Sequence, residues 1–193
     1  MTDRGRALLV ALAAAVALAG CSDDEDPALL TEDDLPAVES TATFDRGQPT
    51  ATTCAELSTR IPSIGIPDPD GPQPVTTSYT LESGDVVTAS VFEPAQRYGD
   101  ADGALAAVDE AVAACADKGD VTELTDADGL PDGAVGFRSS TTGEDVATQA
   151  LAATEDGRVV SVTVVHPGEG EPGVAVVDLL GTALDRADEV DLS

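Results

Sequence analysis

Three β-rich runs stand close together in the second half of the chain: AVGFRSST at 134–141, DVATQALAAT at 145–154 and RVVSVTVVH at 158–166. Thr142-Gly143-Glu144 separates the first two, and Asp156-Gly157 the last two. Turns this short reverse the chain, so neighbouring runs pair antiparallel. A further hairpin is read in VTTSYTLESGDVVTASVFEP at 75–94, where two β-rich runs flank Ser83-Gly84-Asp85. Upstream, ESTATFD at 39–45 is expected to add a strand.

Helical signals sit between these runs. In DADGALAAVDEAVAACADKGD at 100–120, Leu105, Val108, Val112 and Cys115 step by three, four and three and share one face. Alanines fill the remaining positions at little entropic cost, and Gly119 is the expected stop. After Pro172, the stretch 173–188 repeats apolar residues at Val176, Leu180 and Leu184, which predicts a second amphipathic helix begun by the proline. Nearer the start, 28–38 reads as a helical turn capped by Thr31, and 52–60 as a short helix at best. IPSIGIPDPDGPQP at 61–74 is rich in proline and turn formers and reads as a long loop. The expected fold is therefore α+β, an antiparallel sheet with two main amphipathic helices packed on one of its faces. A single domain spanning 29–193 is expected.

The first twenty residues have a different character. MTDRGR carries two arginines, ALLVALAAAVAL is unbroken apolar sequence, and small residues precede Cys21. That arrangement predicts a signal peptide over 1–20; the apolar run is shorter than the ~20 residues that span a bilayer. Leu18-Ala19-Gly20-Cys21 resembles the bacterial lipobox. The resemblance implies that Cys21 is acylated on sulfur and begins the mature chain. The plainer alternative is an ordinary signal with an incidental cysteine. Residues 21–28, CSDDEDPA, form an acidic tether too polar to fold, with a reach of ~15 Å.

Charge excludes whole classes of partner. Without residues 1–20 the chain keeps seven basic and 36 acidic residues, a net charge of −29. Nucleic acid needs a basic footprint, so it is excluded as a partner. The acidity reads as a solvated surface rather than a site. Five aromatic residues and no Trp leave few stacking platforms. With Cys21 given to lipid, Cys54 and Cys115 remain in an oxidising compartment and are expected to form a disulfide.

The lipobox, ALLTEDDLP at 28–36, VFEP at 91–94 before a helix ending in Cys, EDGRVVSVTVV at 155–165 and the last amphipathic helix together resemble actinobacterial surface lipoproteins. These are related to the extracellular sensor domain of the PknH-type receptor kinase. The resemblance implies an antiparallel sheet with helices packed on it, a ligand groove and no catalytic residues. The family's second internal disulfide and its Trp-containing core have no counterpart here, so no groove residue is carried over.

Little else points to chemistry. His166, the one histidine, reads as a solvent-facing strand end, since no nucleophile motif accompanies it. No zinc set remains once the two thiols pair. Arg97, Tyr98 and Arg138 are notable because arginine is scarce; ion pairing with nearby acids is the simple reading and anion binding the alternative. No ligand-binding, catalytic or metal residue is assigned, and no cofactor is expected. The reading is a non-enzymatic, lipid-anchored lipoprotein on the extracytoplasmic face of the cell membrane, binding or sensing a small molecule or envelope component. The alternatives are a protein-interaction module of the envelope and a carboxylate-dependent hydrolase.

Asp68-Pro69-Asp70-Gly71, Asp100-Ala101-Asp102-Gly103 and Asp126-Ala127-Asp128-Gly129 imitate calcium loops, but the fifth position is Pro72, Ala104 or Leu130, which offers no side-chain oxygen. Thermal unfolding with calcium or with chelator should therefore superimpose at fixed ionic strength. A drop of many degrees in chelator would refute this.

Overall fold

The computed structural model describes residues 28–44, 52–66, 71–140, 145–168 and 170–192. Cys21, the tether up to Pro27, Asp68 to Asp70 and the expected turn at Thr142-Gly143-Glu144 lie outside them. Among the described residues there are seven strands: β1 (Val38–Phe44), β2 (Val75–Leu81), β3 (Val86–Phe92), β4 (Val121–Glu123), β5 (Val135–Ser140), β6 (Val146–Ala153) and β7 (Val159–His166). They form one sheet in the order β1-β2-β3-β7-β6-β5-β4, with every neighbouring pair antiparallel. Helices α1 (Ala55–Ile64), α2 (Ala101–Ala116) and α3 (Val176–Arg186) complete an α+β fold.

The sheet is two meanders, β1-β2-β3 and β4-β5-β6-β7, joined where β3 meets β7. The link between them starts at the centre and ends at the far edge. Four strand spacings separate β3 from β4, about 19 Å, and a sixteen-residue helix is about 24 Å long. Helix α2 is thus long enough to make the crossing by itself. Asp100 starts it, its side chain accepting the Gly103 N–H at 2.8 Å.

Both faces of the sheet are covered, which departs from the expected single face. Leu151 packs with α1 and α2, while its neighbours Ala150 and Ala152 pack with α3. Successive residues of a strand point to opposite faces, so the helices lie on opposite sides. On the first side Leu57, Ile61, Ile64, Leu105, Val108 and Val112 cover Phe92, Phe137, Leu151 and Val159. On the second, Val176, Leu179, Leu180 and Ala183 cover Val160, Val162, Val164, Val87 and Ala89. The first side also carries buried polar side chains that pair sideways: the Thr76 and Ser90 hydroxyls lie 2.8 Å apart, and Gln149 Nε2 donates to Ser161 Oγ at 3.1 Å.

Other departures have clear causes. Helix α1 continues through Pro62 to Ile64, into the segment read as loop. Pro62 breaks one helical hydrogen bond near the end, but Leu57, Ile61 and Ile64 repeat at helical spacing and are fully buried. Helix α3 starts at Val176, not beside Pro172. Strand β4 is only three residues long and was not read from sequence. Cys54 and Cys115 come to disulfide geometry, their Cα atoms 6.1 Å apart, and fasten the start of α1 to α2.

The phase of α3 is testable. Leu180 is fully buried, whereas Leu184 is only partly so. Leu180→Ala should lower unfolding stability in urea by about 3 kcal/mol, and Leu184→Ala by about 1 kcal/mol. Equal losses would show that the helix turns a different face to the sheet.

Candidate functional site

A cleft of about 280 Å³ opens between the sheet and the first turn of α3. Its lining includes Arg138 of β5, Thr148 of β6, Leu124 and the residues leading into α3 from Glu171 to Val177. Arg138 and Thr148 are direct cross-strand partners, so the guanidinium and the hydroxyl rise side by side from the same face. Gly136, two residues before Arg138 on that face, permits Leu124 to lie on the strand: a Cβ there would meet Leu124 Cδ1 at 2.9 Å. Leu124, Val174, Val176 and Val177 give apolar walls, and Asp128 and Glu171 add carboxylates.

The segment that roofs the cleft is fastened at several points. Gly168 N–H donates to Asp145 at 3.1 Å, and Arg138 Nη2 donates to the Gly170 carbonyl at 2.9 Å. Gly173 N–H donates to Asp85 at 3.0 Å. Gly170 lies so close to His166 that a Cβ would stand 2.9 Å from Nε2. Arg138 also faces Glu171 at 3.9 Å, a loose and exposed pair of little energetic weight.

His166 is therefore not the free strand end expected from sequence. Its Nδ1 lies 2.6 Å from Asp85 Oδ1, and the Asp85 side chain is 0% exposed. Burial pushes the Asp85 pKa up, but hydrogen bonds from His166, Gly173 and Ser83, with the His166 charge, hold it below its ordinary 3.8. An ionised Asp85 only accepts, so His166 presents N–H at Nδ1 and leaves Nε2 toward Gly170. A second fastening ties the segment before β1 to α3: Arg186 grips both oxygens of Asp34. Mainly through that hydrogen bond, the Asp34 pKa falls to about 2. Beside it, burial and the charges of Asp34 and Glu32 push Tyr79 up to about 12.

The remaining residues singled out from sequence fall in several places. Arg138 lines the cleft. Arg97 and Tyr98 lie apart from it, at the entry to α2, against Ser63 and Arg60. Asp100 caps α2, and Asp128 closes a capping turn with Thr125, so these two acid pairs are helix starts rather than cation loops. Sequence reasoning missed Asp85, Thr148 and the roof. The signal available was an Asp directly before an apolar strand, opposite a strand ending His-Pro-Gly. No family model matches the chain, and neither does any curated protein.

The Asp85 contact sets an acid limit. Asp34 and Asp85 both have folded pKa values below 3.8, so each stabilises the fold above that value. The stabilisation is lost as pH falls through 3.8 toward, for Asp34, about 2. Asp85→Asn should cost about 2 kcal/mol at neutral pH and make the acid fall shallower. Hydrogen exchange at Gly173 should quicken in that variant. An unchanged acid slope together with unchanged exchange would contradict the arrangement.

Proposed function

We propose that this protein is a lipid-anchored extracytoplasmic lipoprotein that binds a small molecule or envelope component without catalysing a reaction on it. The observation that supports binding is the cleft between β5, β6 and α3. It pairs apolar walls with one guanidinium and one hydroxyl on its floor and the carboxylates of Asp128 and Glu171, apolar lining with a few polar groups as in many ligand sites. A neutral ligand with an apolar body and one carbonyl oxygen suits it. The signal-like start and Leu18-Ala19-Gly20-Cys21 support anchoring at Cys21, with the membrane as the partner through that lipid. The sequence resemblance to PknH-type sensor domains supports the same reading.

The alternatives fit the site less well. A carboxylate-dependent hydrolase calls for an acid whose pKa is raised. Asp34, Glu56 and Asp85 are instead held below their ordinary pKa values by their hydrogen-bond partners. The Ser83 hydroxyl bonds to Asp85 and not to the His166 ring, unlike a nucleophile–base pair. A docking module calls for an apolar exposed patch. Among the described residues Ile66, 54% exposed, is the large hydrophobic side chain left to solvent.

The reading is tested on protein purified from its own membranes under non-denaturing conditions. Native mass spectrometry should find a bound small molecule in the wild type and lose most of it in Arg138→Gln. A wild type that carries nothing, or a variant that carries the same species equally well, counts against the cleft. Cys21→Ser should move the protein out of the membrane fraction or leave it unprocessed; retention with normal processing counts against the anchor.

A further inference from the structure

Most described cations of this acidic chain are engaged by carboxylates: Lys118 by Glu56, Arg158 by Asp156, Arg186 by Asp34 and, loosely, Arg138 by Glu171. Among the described residues, Arg60 and Arg97 form no such pair. The whole chain holds 37 acidic residues against nine basic ones. Two neighbouring guanidinium groups that form no ion pair among the described residues are therefore unexpected on charge alone.

They meet at one phenol. Arg60, on α1, donates from Nη1 to the Tyr98 hydroxyl at 3.4 Å. Arg97 lies over the Tyr98 ring, 5.1 Å from its centroid, and donates from Nη2 to the Ser63 carbonyl. Ser63 Oγ stands 2.6 Å from the Tyr98 hydroxyl and donates to the Arg60 carbonyl at 2.7 Å. A hydroxyl has one proton to give, so Tyr98 must donate to Ser63 and accept from Arg60. The directions close into a consistent ring. It holds both arginines in place yet uses only some of the five N–H donors that a guanidinium carries. Burial pushes the Tyr98 pKa up, but the hydrogen bonds of Ser63, Arg60 and Arg97 bring it below 10.0, the response of a phenol in a cationic setting.

A groove of about 490 Å³ runs beside this cluster, between α1 and α2. Arg60, Ser63 and Thr59 line it with three alanines and two carboxylates, Glu110 and the Glu56 that pairs with Lys118; the alanines leave room for a compact body, and the carboxylates favour one that carries hydroxyl donors. The strong negative charge of the chain repels anions, so a weak single contact would not hold one. A carboxylate is satisfied by one guanidinium fork; a phosphate monoester carries close to two charges at neutral pH and has three free oxygens, enough for two forks.

We propose that Arg60, Arg97 and Tyr98 form a binding site for a phosphate monoester, with the α1–α2 groove holding the body of the ester. This site lies apart from the Arg138 cleft, and its test is independent of that reading. The monoester is either a soluble metabolite-sized ester or the headgroup of a lipid such as phosphatidic acid.

The full chain carrying Cys21→Ser serves as the background, so that an acyl group cannot mask the result. Glycerol 3-phosphate is titrated into it at low ionic strength and followed by calorimetry; flotation with phosphatidylcholine vesicles containing phosphatidic acid is run alongside. Saturable binding of glycerol 3-phosphate with a Kd below about 1 mM is the expected result. Arg60→Gln and Arg97→Gln should each weaken it by about tenfold or more. Tyr98→Phe keeps the ring beneath Arg97 but removes the hydroxyl, and should weaken binding by about threefold. Circular dichroism of each variant establishes that it folds, and Tyr98→Phe provides a mild second reading. Binding to the soluble ester alone assigns a soluble ligand, and arginine-dependent binding to the vesicles alone assigns a lipid headgroup. Absence of saturable binding in both arms, or binding that survives both arginine substitutions, overturns the proposal.

Discussion

The pairing of β3 with β7 is the contact on which the rest of the molecule depends. It runs from Val86 opposite Val165 to Phe92 opposite Val159 and is the seam between the two meanders. One face of the seam gives Val87, Ala89, Val160, Val162 and Val164 to α3. At one end of the other face, Phe92 and Val159 pack under α1 and α2. The same register fixes the polar fastening. Asp85 directly precedes β3 and His166 ends β7, so the rung Val86–Val165 leaves the two side by side. A slip of one residue would turn the valines away from α3 and separate this pair at once.

That seam also explains what the sequence disclosed. The meanders were legible because hairpin turns are local: Gly84 and Gly157 take positive φ where a reversal was read. Helix α2 was legible because Leu105, Val108, Val112 and Cys115 all lie on its buried face. Coverage of both sheet faces was harder to see. The pattern of β7, VVSVTVV, interleaves valine with small hydroxyl residues that are themselves buried, as in a strand covered on two sides. Pro62 misled in the opposite sense, since a strong local breaker lost to the burial of Ile61 and Ile64. The cleft could not be read at all. Arg138, Thr148 and Gly170 approach one another only through strand order and the path of the roof.

Scarcity gives the cations distinct tasks. Arg158 binds the carbonyls of Ala187 and Val190 at 3.1 and 2.8 Å while paired with Asp156, and so closes the end of the chain against the β6–β7 turn. Arg186 ties α3 to the start of the described chain through Asp34. Lys118 meets Glu56 near the Cys54–Cys115 link. In each case a cation joins segments distant in sequence, where an excess of acid would otherwise drive them apart.

The strand order also has a consequence for orientation. Leu30 lies under the Tyr79 hydroxyl on β2, next to the β1 edge, whereas the Arg138 cleft is built on β5 and β6. Four strand spacings, about 19 Å, separate β2 from β5. Under the proposed anchoring at Cys21, the protein would be gripped at one margin of the sheet and would present the opposite margin outward. The cleft would then stand at the edge of the sheet farthest from the anchor, open to whatever approaches from the other side.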